Sequence, residues 1–210
     1  MTQETISYRY SHWGPCLYST QITQERVQQL LGLCHEAQKD TSAKLAPNLA
    51  SHQELKLPPD KVFNILKPYF ISYSSVYSEY HSRNLPFLNL TAAWVNFMKA
   101  GDFNPPHNHA GEISFVVFPA VPDELIEENK AFKGNSVGPG AIDFRYVTVS
   151  PATNQFTNSH GFMPRTGSLY IFPARLEHWV FPFKSDVTRI SISGNLAEKG
   201  EDHFMLRGLV

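Results

Sequence analysis

The chain has 210 residues, 42% of them apolar and 18% charged, with a formal net charge of −1 when its nine histidines are counted neutral. That balance supplies enough apolar side chain for a sizeable core and fits one domain, residues 1–210. It lacks the clustered basic face that a nucleic-acid binder needs, and no window approaches the roughly 18 apolar residues that cross a membrane.

The opening MTQETISYRYSHWG has no basic stretch followed by an apolar run, so no secretory leader is expected. Residues 1–20 look irregular, with room for an edge strand. In TQERVQQLLGLCHEAQKD, Val27, Leu30, Leu31, Cys34 and Ala37 recur at helical spacing, and Thr23 is a natural N-cap. The other side carries Gln, Glu and Lys, so this helix lies on something apolar. Cys16 and Cys34 are the only cysteines, one in an apparent loop and one on this helix. They read as two inert thiols of a reduced, cytoplasmic protein.

TSAKLAPNLASHQELKLP breaks the helical period and reads as a loop ending at Pro58 and Pro59. A second helix is expected from about Asp60 to Tyr80, on Val62, Ile65, Leu66, Tyr69, Phe70, Tyr73, Val76 and Tyr77. Pro68 lacks the N–H that a helical turn needs, so a kink or split is expected there. An exposed aromatic face on this helix would permit a homodimer.

From Leu88 the texture changes to short aromatic and β-branched runs cut by Gly and Pro. Strands are expected at Ala93 to Met98 and in EISFVVF, AIDFRYVTVS, SLYIFP, HWVFPF and TRISISGNL. The stretches NPPHNHAG, PAVPDELIEENKAFKGNSVGPG and TNSHGF read as loops. Many strands after a helical start predict an α+β fold: a double-stranded β-helix, or jelly roll, over 86–200, with helical support over 1–85 packed outside it. An open sandwich is the alternative.

Chemistry concentrates in GDFNPPHNHAGEISFVVF, which starts at Gly101. On an extended backbone, residues two apart project to the same side, so the imidazoles of His107 and His109 can meet one cation. Spacing alone leaves a polar loop as the bland reading. Downstream, Phe172, Pro173 and Ala174 turn one strand into the next, where His178 offers a third imidazole. Three ligands on one face of a metal leave open positions for substrate and dioxygen. Imidazole suits iron, zinc, copper and nickel alike. Further on, TRISISGN alternates strictly, so Arg189, Ser191 and Ser193 share a face. Pointing inward, an unpaired guanidinium would be costly and implies an anionic partner, with a carboxylate the natural one. Pointing outward, it would pair with Asp186 or Glu198.

These segments resemble the iron(II)- and 2-oxoglutarate-dependent oxygenases, and among them a group from bacteria and cyanobacterial phages with His-x-His before the strand. The likeness runs from WVNFMKAGDFNPPHNHAGEISFVVF through PRTGSLYIFPARLEHWVFPF to RISISGN, roughly the C-terminal 60% of the chain. It implies a hydroxylase with Fe(II) on His107, His109 and His178. It also implies 2-oxoglutarate as cosubstrate, its far carboxylate held by Arg189 and Ser191. Asn96, on the preceding strand, is a further candidate for the cosubstrate or else a structural amide. The family's usual element is His-x-Asp, and here the third position is His109. Either His109 is itself the ligand, or Glu112 supplies a carboxylate after a turn at Ala110 and Gly111, or a water or anion fills the place. Asp102, across two prolines, is a weaker candidate.

The same spacing also resembles the cupins, with Gly101 to Glu112 close to their first motif and Gly167 to Pro173, with His178, close to their second. That reading keeps the barrel and the metal and drops 2-oxoglutarate. A non-catalytic binding module is the third possibility. The substrate is open among a protein side chain, a peptide proline and a small metabolite. Trp94, Tyr170 and Trp179 read as core or pocket wall, and His160 as a loop or surface histidine.

Overall fold

The computed structural model describes residues 6–11, 14–42, 53–82, 84–86, 88–148 and 156–198. Strands β1 (Tyr8–Ser11) and β2 (Leu17–Gln21) precede helix α1 (Gln24–Ser42). Thr23 sits just before α1, and its carbonyl accepts from Val27 N at 3.0 Å. A short strand β3 (Gln53–Lys56) leads into α2 (Pro59–His81), followed by β4 (Asn89–Met98). Next come β5 (Asn104–His107), β6 (Ile113–Ala120), α3 (Asp123–Ala131) and β7 (Ile142–Thr148). The rest is β8 (Phe156–Phe162), β9 (Ser168–Pro173), β10 (Glu177–Val180) and β11 (Arg189–Ala197).

All strand pairs are antiparallel and form two sheets. The larger runs β1-β2-β9-β6-β11-β4-β3, the smaller β5-β10-β7-β8. This is the double-stranded β-helix, with helices α1 and α2 on the outer face of the larger sheet. Alternation explains the layering. On β6, Phe115 and Val117 join the cluster that holds Val62, Leu66 and Phe70 of α2. Val116 and Phe118 point the other way, into a second cluster with Phe144 of β7 and Phe172 of β9. A strand buried on both faces reads as the continuous run ISFVVF rather than as alternation.

Several expectations are corrected. The segment before Pro58 is not all loop, because β3 pairs with β4 from Gln53↔Phe97 to Lys56↔Trp94. Its QELK composition carries too little apolar period to show this. The long stretch after β6 contains α3, a short helix in which only Leu125 is fully buried. TNSHGF is strand β8, paired with β7, and His160 is exposed on it. NPPH is strand β5 at the edge of the smaller sheet, where two prolines are tolerated because no partner needs their N–H. Helix α2 continues through Pro68 without a break. Its aromatic side is not exposed: Phe63, Tyr69, Phe70 and Tyr73 are buried against the sheet. Cys16 and Cys34 are both buried and free. Among the described residues, no helix is long and apolar enough to cross a membrane.

Candidate metal centre

The imidazoles of His107, His109 and His178 gather at one end of the space between the sheets. Their candidate ligand nitrogens all lie within 4.8 Å of one another. Strand pairing does this: β10 lies beside β5 with His178 opposite His107, joining positions 71 residues apart in the chain. His109 follows the end of β5, and its N–H donates to the Ala174 carbonyl at 2.9 Å, anchoring it to the turn before β10. Gly111 then turns the chain into β6 at φ +98°, where a Cβ would sit 3.0 Å from the Leu196 carbonyl oxygen.

Two of the rings are oriented by their own backbone. His107 Nδ1–H donates to the Pro105 carbonyl at 2.7 Å, and His178 Nδ1–H donates to the Leu176 carbonyl at 2.9 Å. A carbonyl can only accept, so the proton sits on Nδ1 and Nε2 is left as the free donor toward the cluster. Burial, helped by the neighbouring imidazoles, lowers His178 to about 3. Burial first, and then the nearby His107 imidazole, lower His109 to about 4. Both rings are therefore neutral at pH 7, with no proton to displace before binding a cation. The exposed side chain of Glu112 is not part of the cluster. Asp102 Oδ2 accepts the Lys99 N–H at 2.8 Å and closes the turn after β4.

Behind the imidazoles lies a cavity of about 250 Å³. Arg189 lines it, the first residue of β11 and only 2% exposed. Arg189 donates from Nη1 to the Gly140 carbonyl at 2.7 Å and from Nη2 to Met98 Sδ at 2.8 Å, and its guanidinium lies 5.2 Å from the Phe118 ring. Its Nε is buried without a partner, and among the described residues no carboxylate pairs with it. Complete burial lowers its pKa to about 10, so the charge persists at neutral pH. Ser191 and Asn96 face each other across the β11–β4 ladder and line the same cavity. Met98 and Phe118, which hold the guanidinium, went unread in the sequence. Met98 lies two residues beyond Asn96 on the same face, so strand alternation was the signal available.

These residues suit a divalent cation with a small dianion behind it. Three imidazole donors converge, and a buried cation with a spare N–H waits beyond them. An iron(II) ion here would be held by His107, His109 and His178, and 2-oxoglutarate would reach back to Arg189.

A family model described as "Putative 2OG-Fe(II) oxygenase" matches residues 92–195. No curated protein matches the chain. Among solved structures it is similar to a Pseudomonas putida prolyl-4-hydroxylase, at 14% identity and TM-score 0.50, over 88% of this chain and 93% of that one. It is similar to the viral collagen prolyl hydroxylase of Paramecium bursaria Chlorella virus-1, solved with 2-oxoglutarate, at 13% identity and TM-score 0.52, over 86% and 94%. The carbocyclase SnoK of nogalamycin biosynthesis matches at 11% identity and TM-score 0.55, over 86% and 78%. At such identities these likenesses speak for the fold. The span from residue 92 to residue 195, which carries all three imidazoles and Arg189, belongs to the 2OG-Fe(II) oxygenase family.

Proposed function

We propose that the chain is an iron(II)- and 2-oxoglutarate-dependent hydroxylase whose metal is held by His107, His109 and His178. Arg189 binds the far carboxylate of 2-oxoglutarate, with Ser191 and Asn96 beside it. The observation that carries this reading is the Arg189 guanidinium, buried with an unpartnered Nε and, among the described residues, no carboxylate paired with it. Such a charge is costly unless an anion joins it. The cavity it lines reaches the imidazoles, so one bound molecule can touch both.

The bound metal and cosubstrate would supply the oxidising chemistry, by which a substrate C–H, dioxygen and 2-oxoglutarate become a hydroxylated product, succinate and carbon dioxide. The chain's own residues bind and orient. The carbonyl-bound Nδ1–H groups hold two rings in place, the neutral imidazoles present lone pairs, and Phe118, Phe172 and Ile142 keep the cavity apolar. All three protein ligands are neutral, so this site brings one negative charge fewer than a set of two histidines and a carboxylate. Weaker iron binding follows.

Anaerobic titration with Fe(II) and then 2-oxoglutarate tests the reading. A weak visible band on adding 2-oxoglutarate, and succinate once air is admitted, are expected. Arg189→Ala removes the charged anchor, and losing one partner of a buried charge pair costs about 2–5 kcal/mol. Cosubstrate affinity should fall at least ~30-fold while metal binding persists. Metal binding with no response to 2-oxoglutarate would instead favour a cupin-type site, and absence of metal binding would leave only a binding module.

A further inference from the structure

The three imidazoles are not held alike. His107 and His178 each donate Nδ1–H to the carbonyl two residues before them, Pro105 at 2.7 Å and Leu176 at 2.9 Å. Such a bond fixes ring and tautomer together. Among the described residues, no hydrogen bond reaches the His109 ring. Its bond to the Ala174 carbonyl comes from the backbone N–H, which fixes the chain and not the side chain. His109 also has space to turn into. A second hollow of about 590 Å³ lies outside the first, bounded by Lys56, Leu57 and Pro59 around the start of α2 and by residues 91–94 of β4. His107 and His178 line the inner cavity alone, whereas His109 lines both spaces. A ring with room on its outer side and no hydrogen bond has other staggered positions within reach.

What lies against it is Trp94. The indole lines both spaces as well, and its centroid is 5.5 Å from that of the His109 ring, at an interplanar angle of 59°. That separation falls within the roughly 4.5–7 Å at which tilted aromatic rings attract. The other rings against His109 among the described residues are its two fellow ligands, at 5.0 and 5.1 Å, with which it must be aligned. Strand alternation puts the indole there. Ala93, Val95 and Phe97 face the cluster that holds the helices, so Trp94, Asn96 and Met98 face the cavity. The backbone beneath it is firm, because at Trp94 strand β4 is paired on both sides, with Lys56 of β3 and Ser193 of β11.

We propose that Trp94 is a positioning residue: its indole holds the His109 ring in the ligand position, as backbone carbonyls do for His107 and His178. A ring contact replaces a hydrogen bond at this one ligand. Without the indole, His109 turns into the outer hollow and a bound metal keeps two protein ligands. The inference rests on the three-imidazole site of the reading above and not on 2-oxoglutarate.

The test uses the full chain with Zn(II) as the probe, and neither 2-oxoglutarate nor turnover. Calorimetry gives the affinity, and nitrogen NMR of the chain labelled at histidine counts the imidazoles whose ring nitrogens shift on binding. Three should shift in the parent chain. Trp94→Ala should leave two, with affinity about tenfold weaker, since losing an outer partner of a ligand costs roughly 10–100-fold. Trp94→Phe keeps an aromatic face and should retain all three. Trp94→Leu keeps apolar bulk without a ring; it serves if Trp94→Ala does not fold, and it should lose the same imidazole. On a His109→Ala background, Trp94→Ala should cost no further affinity, because the residue acts through His109. Three bound imidazoles and parent affinity in Trp94→Ala or Trp94→Leu overturn the inference alone. So does an equal loss with and without His109, which would make Trp94 a packing residue only. A parent chain in which His109 does not bind Zn(II) overturns the inference together with the three-imidazole site.

Discussion

At the scale of single residues, the imidazoles and the guanidinium were visible from spacing, and their surroundings were not. His107 and His109, two apart, had to share a side of any extended backbone. Whether Glu112 joined them depended on the turn at Gly111, which leaves that side chain exposed and outside the cluster. Arg189 could have faced Asp186 or Glu198, and only the packed structure shows it inside, on the Gly140 carbonyl and Met98. The neutral imidazoles carry a consequence for the metal-free protein. Burial lowers His109 and His178 from 6.5 to about 4 and about 3. Unfolding frees both to take up protons between those values and about pH 6.5, so the unfolded state binds more protons in that window and stability rises with pH across it. Urea melts of chelator-treated protein should show full stability above pH 6.5 and a steady loss on acidification toward pH 4. His178→Phe, which keeps a ring of similar shape without the titrating group, should flatten that slope. An unchanged slope would assign the acid sensitivity to other groups.

At the scale of elements, periodicity served where a side of the element was apolar and failed where it was not. The helix with Val62, Leu66, Tyr69, Phe70 and Tyr73 on one side was plain, and so were β6, β9 and β11. Strands β3, β5 and β8 are polar or proline-bearing, and α3 buries fully only Leu125. Strands β3 and β5 are paired with strands far away in the chain, and β8 with its neighbour β7. Helix α3 illustrates how such an element is tethered. Its Glu128 accepts from Lys184 N at 2.9 Å, Ser185 N at 2.8 Å and Ser185 Oγ at 2.6 Å, tying it to the segment before β11. Partial burial pushes the carboxyl up, and the Ser185 and Lys184 donors outweigh that and hold it below its ordinary value. A carboxylate of this kind stabilises the fold above its unfolded pKa and loses that contribution as pH falls through the folded one. Ser185→Ala should therefore cost about 1 kcal/mol at neutral pH. The difference from the parent should shrink in acid below the ordinary glutamate range. A pH-independent difference would point to packing rather than the hydrogen bond.

At the scale of the whole molecule, the candidate site exists only because the two sheets face each other. Its ligand groups come from β5, the turn after it and β10, and its guanidinium from the larger sheet. A cation bound by all three imidazoles should link these parts and raise the melting temperature in proportion to the logarithm of free metal, since it binds the folded state alone. Ni(II) or Zn(II) should show this in a thermal melt, and His178→Ala should abolish it. A melting temperature that ignores metal in the parent chain would count against a shared cation.

The sequence by itself determined what is local: the helical and strand periods, the same-side placement of His107 and His109, the shared face of Arg189 and Ser191, and the inventory of groups able to hold a metal and an anion. Those follow from the geometry of one short stretch of backbone. The tertiary structure alone decided that His178 lies opposite His107, that Arg189 is buried with no carboxylate paired to it among the described residues, and that polar segments become strands. These depend on pairing and burial between residues distant in the chain, and such contacts leave no repeat or spacing in the sequence from which they could be read.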